Sequence, residues 1–118
     1  CNPGPIGLTI TPNAPVQPGD TIVRTVTAPA GSFVLLVHGP NLGSTTLPFL
    51  NANLCLGFPF GIHFFGMVPA SGTLTHQNTV PLTAPLPGNV TIQFQALALS
   101  MTGGSLSVQT SNLDSLTF

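Results

Sequence analysis

Glycine and proline break most of this chain into short runs. Thirteen of each are spread over 118 residues. They recur as turn signals at Pro18-Gly19, Pro29-Ala30-Gly31, Gly39-Pro40-Asn41, Ala70-Ser71-Gly72, Pro85-Leu86-Pro87-Gly88 and Gly103-Gly104. Punctuation at roughly ten-residue intervals, around runs rich in β-branched residues, is the pattern of an all-β domain. No stretch carries the 3.6-residue apolar period that would favour a helix.

The runs between the turns alternate as strands do. Ile6, Leu8 and Ile10 alternate with Gly7, Thr9 and Thr11. Ile22, Arg24 and Val26 lie opposite Thr21, Val23, Thr25 and Thr27, and Leu74 and Val80 oppose Thr73, Thr75, Gln77 and Thr79. Val90, Ile92 and Phe94 alternate with polar residues before an apolar stretch from Ala96 to Leu99, and Leu106 and Val108 repeat the pattern. A last short strand is expected over Leu113–Phe118. The sum is seven to nine short strands in one domain over 1–118, a two-layer β-sandwich of immunoglobulin-like or jelly-roll-like form.

Two runs break the rule that a sandwich strand has one wet face. Phe33–Val37 and Ile62–Val68 are apolar on both. Either a neighbouring subunit covers them, or they are central strands beneath the Phe-rich stretch Thr45–Phe60, which reads as a long irregular connection. The large apolar residues of these segments, Phe33, Leu35, Phe49, Phe58, Phe60, Phe64 and Phe65, form the candidate subunit interface.

Charge narrows the functional classes. Only 3% of residues are charged, namely Asp20, Arg24 and Asp114, while 42% are hydrophobic. Disorder calls for low hydrophobicity and high net charge, so the chain is expected to fold. A comfortable monomer surface is about 25–35% charged. This one is wetted weakly and does not repel its own copies. Burial against other subunits, a coat of glycans, or membership of a larger secreted protein would each account for it. One Arg and no Lys exclude a conventional nucleic-acid surface, because affinity there comes from neutralising phosphates, and disfavour anionic membranes. No apolar run reaches the about 18 residues a transmembrane helix needs, and the expectation is of an exported chain on which no signal peptide remains.

Cys1 and Cys55 are the two cysteines. An even count in an exported chain suggests a Cys1–Cys55 disulfide, worth about 4 kcal/mol by loop entropy. The alternative makes Cys1 the lipidated first residue of a bacterial lipoprotein. Asn89-Val90-Thr91 matches the N-glycosylation pattern, making Asn89 a candidate glycosylation site.

Pro18-Gly19-Asp20-Thr21, set between two strands, resembles the opening of bacterial immunoglobulin-like domains. From Ala30 to Asn112 the order of segments resembles a group of secreted, low-charge β-domains from planctomycete-like bacteria. The carriers are the small-residue turn before Phe33-Val34-Leu35-Leu36-Val37, the Leu47-Pro48 step, the lone mid-chain Cys55, the Pro85–Gly88 turn, and Phe94-Gln95-Ala96-Leu97 before Ser111-Asn112. The chain departs at Asn112, which leads into Leu113-Asp114-Ser115 and not a glycine turn. The resemblance implies export and β-structure.

No catalytic, cofactor-binding or metal-binding pattern accompanies these features. Asp20 and Asp114 are the only carboxylate side chains and sit in no acid–base motif. His38, His63 and His76 lack a nucleophile elbow and metal-ligand spacing, and are expected as strand or turn residues. Asp20 is expected to bond its own turn, and Arg24 to pair with an Asp across strands. The function expected is that of a non-enzymatic structural subunit, extracellular or at the cell surface. It would assemble with copies of itself into a filament or surface layer, by exchange of a terminal strand from Cys1–Thr11 or Leu106–Phe118. The alternative is a glycan-binding or adhesion module.

Overall fold

The computed structural model describes residues 4–47, 52–83, 85–86 and 88–118. Among them lie nine strands: β1 (Gly7–Thr11), β2 (Thr21–Thr27), β3 (Phe33–Gly39), β4 (Leu42–Leu47), β5 (Ala52–Leu56), β6 (Gly61–Met67), β7 (Thr73–Thr79), β8 (Thr91–Thr102) and β9 (Ser105–Thr117). No helix among the described residues is long and apolar enough to cross a membrane.

One antiparallel sheet has the order β1-β2-β7, and a second has the order β6-β3-β8-β9. Three strands facing four, with the chain crossing between sheets after β2, β6 and β7, is the immunoglobulin-like alternative and not the jelly roll. Alternation builds the interior. Ile10, Val26, Val34, Leu36 and Ala96 are fully buried between the sheets, and the residues on either side of each point outward.

The stretch Thr45–Phe60 is not an irregular connection. It contributes most of the β4–β5 hairpin, whose Leu47, Ala52, Leu54 and Leu56 pack on Val37 and Leu97. The hairpin is therefore a partial third layer on the outer face of the four-stranded sheet. Gln95 fixes it there. This fully buried side chain accepts a hydrogen bond from the Cys55 N–H (2.8 Å) and donates to the Ser111 carbonyl (3.0 Å). The unbroken apolar run from Ala96 to Leu99 follows from this double cover. Ala96 and Ala98 join the inter-sheet core, while Leu97 and Leu99 face the hairpin side.

The C-terminal region is one strand and not two. An extra residue in β9 opposite Gln95–Leu97 makes a bulge. Ser111 closes it by accepting from the Ala96 N–H (2.8 Å) and donating to the Asn112 carbonyl (2.7 Å). The bulge turns Asn112 and Asp114 toward β1. Asn112 accepts from the Leu8 N–H (2.8 Å) and donates back to the Leu8 carbonyl (2.9 Å), and Asp114 accepts from the Ile10 N–H (2.7 Å). Main-chain bonds from Ile6 to Thr110 and from Val16 to Thr117 extend the seam at both ends. Side chains thus satisfy the outer edge of β1, and the β1/β9 flank of the sandwich is closed.

Candidate functional site

The outer face of the four-stranded sheet is apolar beyond the reach of the hairpin. On β3, Phe33 stands opposite Met67 of β6 and Leu99 of β8. Its ring lies 6.2 Å from that of Phe64. Ile62 precedes Phe64 by two residues on the same side of β6, and on the far side Met101 stands opposite Leu106. Phe33, Leu99, Met101 and Leu106 line a groove of about 430 Å³. Register therefore joins Ile62, Phe64, Phe33, Met67, Met101 and Leu106 into one strip across four strands. Each of the six is between 43% and 67% exposed.

The residues expected at an interface divide by face. Phe33 and Phe64 lie in the strip. Leu35 shares their face but is partly buried against the hairpin cluster, as is Phe60. Phe58 is 73% exposed and stacks on Phe60 at 4.7 Å. Phe65 points the other way. It is only 3% exposed, lies in the inter-sheet core and contacts the His76 ring at 4.2 Å, so it is not available to a partner. Phe49 lies outside the described residues. Sequence alone does not single out Ile62, Met67, Met101 and Leu106; two-residue spacing from Phe64, Leu99 and Val108 is a signal for Ile62, Met101 and Leu106, while Met67 reaches the same face only through the irregularity in β3–β6 pairing.

Asn89 is exposed, with a positive φ of 57° in the turn before β8. Cys55 is buried in β5 and is not a free thiol. The other end of the expected disulfide, Cys1, lies outside the described residues.

A second feature lies at the opposite flank, between β6 and β7. Arg24 follows the same period as Ile22 and Val26, so it faces the other sheet. Its expected Asp partner is not there. Arg24 Nη2 donates to Asn78 Oδ1 (3.0 Å). Asp20 instead accepts from the Gln17 N–H (2.9 Å) within its turn, and Asp114 serves β1. Directly across from Arg24 in the register is His76. From the facing sheet come His63, opposite Leu36, and His38, whose ring lies 5.5 Å from that of His63. Gly61 makes room here, because a Cβ at that position would lie 2.9 Å from the His38 ring. Burial, and then the proximity of His38, Arg24 and His76, push the His63 imidazole below its ordinary value. All three histidines are strand residues, and no group of three or more metal-ligating side chains forms among the described residues.

No family model, curated protein or solved structure matches this chain.

Proposed function

We propose that this domain is a structural subunit that assembles with copies of itself in an extracellular filament or surface layer, through the bare half of its outer sheet face. The observation that carries the reading is the strip from Ile62 to Leu106. Half-exposed side chains of this size leave on the order of 100 Å² each in water, so the six present roughly 600 Å². Lone monomers seldom show an apolar patch above about 300–600 Å². A standard interface covers about 800 Å² per partner, so the strip with its rim is large enough to be the centre of one.

A second copy is the favoured occupant because nothing opposes it. With a net charge of -1 and no charged residue in the strip, two such faces meet without repulsion. Two identical faces meeting make a closed pair, so an open polymer needs a second contact, and the outer edge of the sheet supplies it. β6 is an edge strand of seven residues with no Lys, Asp, Glu or Pro, and such edges are open to pairing with another chain. Exchange of a terminal strand has less support, because β1 and β9 are both seated in their own domain and tied to each other.

Sedimentation of the wild-type chain against the Phe64→Ser/Met101→Ser variant tests the proposal. Concentration-dependent association that the two exposed substitutions abolish, with thermal stability retained, is the expected result. Monomers up to millimolar concentration would overturn it. The adhesion alternative has one observation behind it, the exposed Phe58 stacked on Phe60 as a platform for a sugar ring. Glycan-array binding lost in Phe58→Ser would favour it.

A further inference from the structure

We propose that the flank between β6 and β7, where Arg24, His38, His63 and His76 converge, binds a small oxyanion. The sequence contains one Arg, no Lys and three His, and the fold brings all four of these side chains together from β2, β3, β6 and β7. No carboxylate joins them. The only two acidic side chains are held by main-chain N–H groups of the Gln17 turn and of β1.

A guanidinium stays protonated in proteins, and Arg24 is only partly buried, so its cost is concentrated at the end turned inward. Arg24 spends one N–H on the Asn78 amide, while its Nε is shielded from solvent and has no hydrogen-bond partner. An unsatisfied buried polar atom in a folded protein calls for an explanation, an ion or water among them. Here the surroundings choose between them. Three imidazoles around a guanidinium favour a negative group and add donors once protonated. The His63 imidazole resists protonation first because it is partly buried and then because His38, Arg24 and His76 lie near it, and an anion offsets the second of these causes. His76 and Asn78 are exposed, so solvent reaches the cluster from the β7 side. Planar guanidinium against oxyanion oxygens is the geometry in which Arg pairs best.

Binding and pH are linked as a consequence. Protonation of the His63 imidazole strengthens the anion site, and the anion raises its affinity for the proton, as linkage requires. Affinity therefore rises as pH falls through the histidine range.

Inorganic sulfate is the probe, because its charge does not change between about pH 5 and 8. The imidazole Cε1–H resonances are the readout, since sulfate stabilises most proteins by exclusion and a melting temperature would not discriminate. Against chloride at equal ionic strength, saturable shifts of His38, His63 and His76 sharing one midpoint are expected, with affinity about tenfold tighter at pH 5.5 than at pH 7.5. Arg24→Gln abolishes saturation. His76→Gln, a change at an exposed position, weakens binding and leaves the fold intact. Absence of a saturable shift at about 50 mM sulfate and pH 5.5, or identical titrations of wild type and His76→Gln, would overturn the proposal.

Discussion

Replacing Asn112 by Ala tests how the sandwich is closed. The side chain accepts from the Leu8 N–H at 2.8 Å and donates to the Leu8 carbonyl at 2.9 Å. Leu8 is buried at 3% exposure, so water reaches the two main-chain groups poorly once the amide is gone. Leaving a buried donor or acceptor unpaired costs about 1–3 kcal/mol. The seam is only partly buried, so the pair together should cost about 2–4 kcal/mol. For a domain of this size that lowers the melting temperature by roughly 4 °C per kcal/mol. The chain has neither Trp nor Tyr, so unfolding in urea is best followed by far-UV circular dichroism. Hydrogen exchange adds residue resolution: the Leu8 amide should lose protection while Val34 and Leu36 keep theirs. A loss of stability below about 0.5 kcal/mol, with Leu8 still protected, would show that β1 is held by its pairing with β2 alone.

Gln95→Leu removes both hydrogen bonds that pin the hairpin, orphaning the Cys55 N–H and the Ser111 carbonyl, and should destabilise by about 2–4 kcal/mol in a urea titration. Leu97→Ala empties a fully buried site under the hairpin and should cost about 2–5 kcal/mol, read the same way. Acid should weaken the fold through His63. Its folded-state pKa is below the ordinary 6.5, so the unfolded chain binds the proton more readily. The contribution is intact above about pH 6.5 and is lost as pH falls through the folded value. Urea midpoints in chloride buffer should decline over that window, and His63→Gln should flatten the decline.

Much of the fold was legible because alternation reports directly on burial. Ile6, Leu8 and Ile10, or Ile22 and Val26, could only be one face of a half-buried strand. The β4–β5 hairpin was not legible. Gly43, Ser44 and Thr45 show no alternation, since that part of β4 lies at the surface. β9 was read as two pieces because the bulge at Ser111 and Asn112 shifts the phase of the pattern, so Val108 and Leu113 share a face at an odd spacing. The apolar strip was half visible. Phe33 and Phe64 were apparent as residues on doubly apolar runs, but which face the hairpin would cover depends on long-range packing. The basic cluster was invisible for the same reason. Arg24 shared a face with Ile22 and Val26, yet nothing local to it announces that three histidines from other strands converge there.

Self-association through the bare outer face is the claim on which the functional account rests. Electron microscopy of the concentrated wild-type protein tests it most directly. Ordered polymers, with Phe33, Phe64 and Met101 at the contact between protomers, are the expected image. A field of dispersed single domains at the same concentration would contradict the account.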